Sequence, residues 1–377
     1  MAEAVSGHGS ASSGRLAAAS LAPHNNFDLV RLAAAAQVAI YHTTLLLRLH
    51  LPGALRYILD AMPGVPLFFV TSGFLLAGSL ERDSDLRRYA RNRALRIYPG
   101  LWLCFVVTLV VLAVSGVLTG SLLLSLRGAR WVVAQLLVAS TTPAPIRRFG
   151  FHAAPNGALW TIGVEIGFYV VLGLMWWAFV RRVRRPVADV TIAVLAVASF
   201  LIAVNSGTIS AVAVSGSSKL LKASPIPYLW IFFLGVLARR RWDVVGAIVR
   251  GRAWLWLPVA VVGYHVLPGL RHPTHGIGWA GLAGDRVLLA LAALSAAYSA
   301  PGLADRLLHG VDISYGLYLY HYVWIGAFFE AYQRRGSWVI GAAVLASAVG
   351  SALVSWFAVE SRALRLKARA PSAVSRP

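Results

Sequence analysis

The chain has 377 residues, of which 58% are hydrophobic and only 13% charged, and its formal net charge is +21. Soluble domains average about 25% charged residues, so this composition excludes an ordinary soluble enzyme and describes a polytopic membrane protein. The cation excess needs no nucleic-acid partner, because the arginines cluster in short segments between apolar runs, the positive-inside pattern. The single cysteine, Cys104, lies inside an apolar run, which excludes an intrachain disulfide and suggests no cysteine-based metal site.

Residues 1–26 are rich in Ala, Ser and Gly and lack the continuous apolar core of a signal peptide, so they read as a cytoplasmic tail. Ten membrane spans are predicted next, at about 28–49, 61–80, 97–119, 157–180, 187–206, 226–238, 253–270, 278–300, 313–331 and 337–359. Residues 131–140 are too few to cross and are expected at the outer interface, and the run at 226–238 is short for a span. Asp285 and Arg286 interrupt the eighth run, either as a pair or as its outer boundary. The expected architecture is an all-α bundle of about ten transmembrane helices over 27–366, with a basic cytoplasmic tail at 367–377. No internal repeat is evident, which weakens a transporter of inverted-repeat type.

Arginine placement orients the set. Arg82, Arg87, Arg88, Arg91, Arg93 and Arg96 fall in the segment between the second and third spans. Further arginines at 181–185, at 239–241 and at 250–252 fall on the same side, as does the basic end, which puts both termini in the cytoplasm.

Five stretches carry candidate chemistry. In FDLVRLAAAAQVAIYH, Arg31 and His42 are eleven residues apart and share one helix face at a spacing of about 16 Å. That puts an arginine at the inner membrane surface and a histidine beyond mid-depth, where ionisable groups face a bundle interior or a wet cavity. In VPLFFVTSGFLLAGSL, Ser72 and Gly73 interrupt an apolar helix as small residues do at close helix packing. Arg93 and Arg96, at the start of the third span, read either as anionic-lipid contacts or as an anion clamp for a phosphate-bearing donor. In NGALWTIGVEIGFYVV, Glu165 is a carboxylate two turns into a span, five residues after Trp160, and requires a partner such as a histidine. In DISYGLYLYHYVW, His321 lies at mid-depth among tyrosines and reads as structural or catalytic.

These five stretches, in this order and spacing, resemble the integral-membrane acyltransferase-3 family, and they cover nearly the whole membrane region. The resemblance implies an O-acyltransferase that moves an acyl group, most simply acetyl, from cytosolic acyl-CoA to a hydroxyl of a cell-surface or secreted glycan. Arg31 and His42 match the family's Arg-ten-residues-His motif, which implies an essential arginine and a catalytic histidine. Arg93 and Arg96 match its Arg-x-x-Arg, which implies handling of acyl-CoA. Trp160 and Glu165 match its Trp-Thr-x-x-x-Glu, and Ser314, Tyr315, Tyr318 and His321 match its Ser-Tyr-x-x-Tyr-Leu-x-His. The chain departs from the family at Glu360-Ser361-Arg362, where members often carry an acidic residue followed by proline, so Glu360 receives no role.

The mechanism expected from these matches has His42 as general base, oriented by Glu165, with Arg31, Arg93 and Arg96 on the CoA phosphates. Trp160, Ser314, Tyr315, Tyr318 and His321 are supporting residues, and no metal or nucleic acid is expected. A bacterial inner membrane is the setting that the Ala-, Arg- and Gly-rich composition suits. The alternatives are a proton-coupled transporter, which also places His and Glu at mid-depth, and a glycan polymerase or ligase, for which the outer loops are poor in arginine.

Overall fold

The computed structural model of the protein describes residues 25–138, 142–150, 154–206, 221, 223–267, 277–332 and 336–367. All regular structure among them is helical. The main helices are α1 (Phe27–Leu46), α2 (Gly53–Ala61), α3 (Gly64–Arg82), α4 (Leu86–Val114), α5 (Leu126–Leu136), α6 (Leu159–Met175) and α7 (Arg185–Asn205). They continue with α8 (Leu229–Arg240), α9 (Trp242–Val249), α10 (Ala253–Val266), α11 (Ile277–Ala297), α12 (Ser314–Ala331) and α13 (Trp338–Ser355), the last prolonged by helical turns to Arg365.

Each of the ten predicted runs falls on helix. Among the described residues, seven helical segments, counting α2 with α3, are long and apolar enough to cross a membrane, or eight if the α9–α10 pair, bent by 90°, forms one span. The remaining two fall short for different reasons. α8 has 12 residues, about 18 Å of helix. α12 has the length, but it carries His321 and four tyrosines, and most of its side chains are buried within the bundle rather than turned to lipid. One expectation is corrected: the arginines before the third span belong to no loop. α4 already begins at Leu86, capped by Asp85 Oδ1, which accepts from the backbone N–H groups of Arg87 at 2.9 Å and Arg88 at 3.2 Å.

Small residues and buried amides set the helix contacts. α3 and α8 cross at a mutual glycine contact. A Cβ on Gly73 would overlap the Phe232 carbonyl oxygen, and one on Gly235 would overlap that of Val70. Without a hydrophobic driving force between helices in lipid, such close backbone approach is what dispersion requires. The break between α2 and α3 is stitched by Gln37 of α1, whose Nε2 donates to Leu59 O at 2.9 Å while its Oε1 accepts from Gly64 N at 2.8 Å. Asn26 anchors the start of α1 by donating to Ser299 O at 2.5 Å and accepting from Ala304 N at 2.8 Å. The buried ion pair of Asp189 with Arg240 closes α7 on α8.

Gly73→Ala therefore forces α3 and α8 apart. The expected cost is about 1–3 kcal/mol, read as a lower thermal midpoint in detergent, whereas Gly53→Ala, with nothing within 4 Å of the new methyl, leaves the midpoint in place.

Candidate active site

The arginine-rich end of the bundle is organised by Asp312, in the turn before α12. Its Oδ2 accepts from Arg31 Nη1 of α1 at 3.1 Å and from Arg96 Nη2 of α4 at 2.5 Å. Its Oδ1 accepts from the Ser314 hydroxyl at 2.5 Å and the Ser314 backbone N–H at 3.1 Å. Burial opposes a charge here, yet Arg96, Arg31 and Ser314 together hold the Asp312 carboxyl well below the usual carboxylate range.

These groups wall a cavity of about 280 Å³, lined also by Asp28, Ser72, Arg93, Glu165, Tyr169 and Lys367. Arg93 Nε is buried without a hydrogen-bond partner among the described residues, and its guanidinium stands 5.9 Å from the centre of the Tyr169 ring. Lys367, expected at the head of a basic tail, lines the cavity instead. Burial, followed by the neighbouring Arg93, Arg96 and Arg31, pushes its amine down to about 8.

Deeper in the bundle the cavity meets a throat of about 30 Å³ lined by Arg31, Val65, Phe68, Phe69, Thr161, Ile162, Glu165, Tyr315 and Tyr318. Arg31, Glu165 and Tyr315 belong to both spaces. Glu165 Oε1 accepts from Tyr169 OH at 2.5 Å and Ser72 Oγ at 3.1 Å. Tyr315 donates to Ile97 O at 2.9 Å, and the Tyr318 hydroxyl lies 2.6 Å from Thr161 Oγ1. Val65 stands in the wall between the throat and a third space, about 320 Å³, lined by His42, Gln37, Tyr41, Asp60, Tyr264 and Arg286 among others.

His42 and His321 form a dyad. Their ring planes lie 15° from parallel with centroids 5.2 Å apart, and the rings meet edge to edge, His42 Nδ1 lying 2.9 Å from His321 Nε2. His321 Nδ1 lies 2.8 Å from the Tyr318 carbonyl. A carbonyl only accepts, so His321 Nδ1 carries the hydrogen, and in the neutral ring Nε2 is then an acceptor. His42 must donate from Nδ1. The lone pair of His42 is thereby confined to Nε2, the tautomer a general base requires.

The sequence-predicted residues thus divide into groups. Arg31, Arg93, Arg96, Glu165 and Tyr315 surround the polar cavity, Tyr318 lines the throat, and His321 and His42 meet beyond it. Ser314 holds Asp312 rather than lining a space. Trp160 stands apart, 40% exposed, its ring 5.4 Å from that of Tyr228. The expected pairing of Glu165 with His42 is replaced: the partner of His42 is His321, and those of Glu165 are Ser72 and Tyr169, because the helices hold these rings and hydroxyls closer. Asp312, Tyr169 and Lys367 were not anticipated. The Asp-x-Ser spacing before α12 was the available signal for Asp312. Glu360 is buried, accepting from Ser355 at 2.6 Å, with Oε2 unpartnered among the described residues.

A membrane-embedded bundle with polar cavities adjoining a throat, and a histidine of fixed tautomer, suits group transfer within a bilayer. The family model described as "Acyltransferase domain", that of acyltransferase-3, matches residues 24–359, and the chain belongs to this family. It is 32% identical over 354 residues to Nodulation protein 10 of Rhizobium leguminosarum bv. viciae, covering 91% of this chain and 94% of that protein. It is 24% identical over 299 residues to an O-acetyl transferase of Shigella phage Sf6, covering 78% and 83%. A third relative, Acyltransferase MdmB of Streptomyces mycarofaciens, is 32% identical over 124 residues, 32% of this chain and 29% of that protein. No solved structure matches the chain at comparable significance. The chain is a multi-pass membrane O-acyltransferase.

Asp312→Ala strands two guanidiniums that are largely buried. The expected loss is about 3–5 kcal/mol, measured as a fall in the thermal midpoint of the detergent-solubilised protein, against about 1 kcal/mol for Ser314→Ala.

Proposed function

We propose that the protein transfers an acyl group, acetyl in the simplest case, from cytosolic acyl-CoA to a hydroxyl of a cell-surface or secreted glycan, with His42 as general base. The observation that carries this reading is the dyad: His42 lines one cavity, with its lone pair confined to Nε2, and a throat separates it from the cation-rich cavity. The arginine-rich end faces the cytoplasm of a bacterial inner membrane, as the positive-inside bias requires.

The donor's phosphates sit at the cation-rich mouth. Among the described residues, no carboxylate pairs directly with Arg93 or Lys367, whereas Arg31 and Arg96 share Asp312 and offer the phosphates only their remaining N–H groups. The throat, about 30 Å³ and so about the volume of a single water, lies between that mouth and His42 and must widen for the pantetheine arm to pass. The thioester is then presented toward His42 while the nucleotide stays behind. Nε2 of His42 takes the proton of the acceptor hydroxyl as its oxygen attacks the thioester carbonyl. The tetrahedral adduct then collapses, the C–S bond breaks, and the imidazolium returns the proton to the departing CoA sulfur. His321 Nε2 accepts from His42 Nδ1 throughout and stabilises the imidazolium, the part expected of Glu165. The likeness to a phage O-acetyl transferase supports oxygen as the acceptor atom and acetyl as the group.

Two outcomes follow. In acceptor-dependent thiol release from acetyl-CoA by purified protein, His42→Ala loses about 10²–10⁴-fold in kcat. His321→Phe, which keeps a ring but no acceptor, loses about 10- to 150-fold, the worth of one hydrogen bond to a charged group. Release that persists unchanged in His42→Ala refutes the base. The Lys367 amine, at about 8, is charged below that pH and neutral above it. KM for acetyl-CoA therefore rises between pH 7 and pH 9 in the wild type, and Lys367→Arg removes the rise.

A further inference from the structure

The cavity on the His42 side of the throat has a lining that the transfer mechanism leaves unused. It is about 320 Å³ in volume, within the range of cavities that hold small ligands. Besides His42 it presents Tyr41, Asp60, Tyr264 and Arg286, from α1, α2, α10 and α11. Gln37 lines it too, but both ends of its amide are committed to the α2–α3 break, so it fixes the wall rather than offering a contact.

The charges here are balanced in pairs. Arg286 is ion-paired to Asp285, which is almost wholly buried, and Asp60 Oδ2 lies 3.5 Å from Nε of the exposed Arg56. Each charge has its counter-ion, so the cavity offers no net charge to an ionic ligand. It does offer hydrogen-bonding capacity. One of the five guanidinium donors of Arg286 is used by Asp285. Asp60 Oδ1 has no hydrogen bond among the described residues. Tyr264, Asp60 and Arg286 line this one space together. An aliphatic alcohol would leave those donors and acceptors desolvated and unpaired, and an anionic acceptor would meet Asp60 without an uncompensated cation. A ligand carrying several neutral hydroxyls on a ring with an apolar face satisfies all of them.

Resting on the transferase reading above, we propose that this cavity is the acceptor site and that it takes a neutral sugar residue. Asp60 and Arg286 hold its hydroxyls, Tyr264 and Tyr41 flank the ring, and the hydroxyl to be acylated is turned to His42. Sites built to hydrogen-bond a substrate hydroxyl discriminate strongly against analogues that lack it. Acceptor choice therefore lies with Asp60 and Arg286, two residues of the membrane domain itself.

The test uses the purified full chain in detergent with acetyl-CoA and three acceptor sets: neutral methyl hexosides, the corresponding methyl hexuronides, and aliphatic alcohols of similar size. Thiol release is followed for the wild type, Asp60→Asn, and the double variant Asp285→Asn with Arg286→Gln, which removes both charges of the buried pair so that neither is stranded. The expected result is release with the neutral hexosides in preference to the other two sets. KM for the hexoside, relative to KM for acetyl-CoA, rises about tenfold or more in each variant. Preference for the uronides or the alcohols overturns the proposal, as does an unchanged hexoside KM in both variants. Acetyl-CoA hydrolysis that depends on His42, with no hexoside-stimulated release, overturns the sugar site alone. No His42-dependent turnover of acetyl-CoA under any condition overturns the transferase reading and this proposal together.

Discussion

Asp312 is the point on which the site depends. Three helices meet at its carboxylate: α1 through Arg31, α4 through Arg96, and α12 through the hydroxyl and N–H of Ser314. Two guanidiniums brought together in a bundle repel each other and lose their water, and a single shared carboxylate compensates both. With these three helices pinned at one carboxylate, the rest of α12 is held in register against α1, and His321 arrives within hydrogen-bonding distance of His42 roughly two turns further on. The position of a histidine pair near mid-bundle is thus set partly by an ion cluster at one end.

The same economy governs the polar groups along the path. Glu165 is satisfied by Ser72 and Tyr169, Tyr318 by Thr161, and Tyr315 by the Ile97 carbonyl. In hydrocarbon an unsatisfied polar group is expensive, so each is held by a neighbouring helix and in turn holds that helix. Polar side chains that make the chemistry conceivable are also what fasten the bundle, while Gly73 and Gly235 bring the α3 and α8 backbones into close contact.

Relatedness to acyltransferases over most of the chain removes the transporter alternative that mid-depth His and Glu left open. It leaves the division of labour among residues to geometry. The cation-rich mouth, the throat and the His42 cavity adjoin through shared wall residues, Arg31, Glu165 and Tyr315 on one side and Val65 on the other.

Much was written in the sequence. Apolar runs separated by arginines determine the membrane setting and the helical class, because lipid admits no unpaired backbone and sorts cations to one side. The eleven-residue spacing places Arg31 and His42 on one face of α1, and the motif order identifies the residues around the site. Helix ends were less legible: the arginine cluster reads as a loop by charge, yet Asp85 caps it into α4. Partnership was not legible at all. Depth alone made Glu165 the natural partner of His42, but hydrogen bonds depend on tenths of an ångström and on which faces meet. Only the packing of α12 against α1, which joins two rings 279 positions apart in the chain, decided that His321 takes that place.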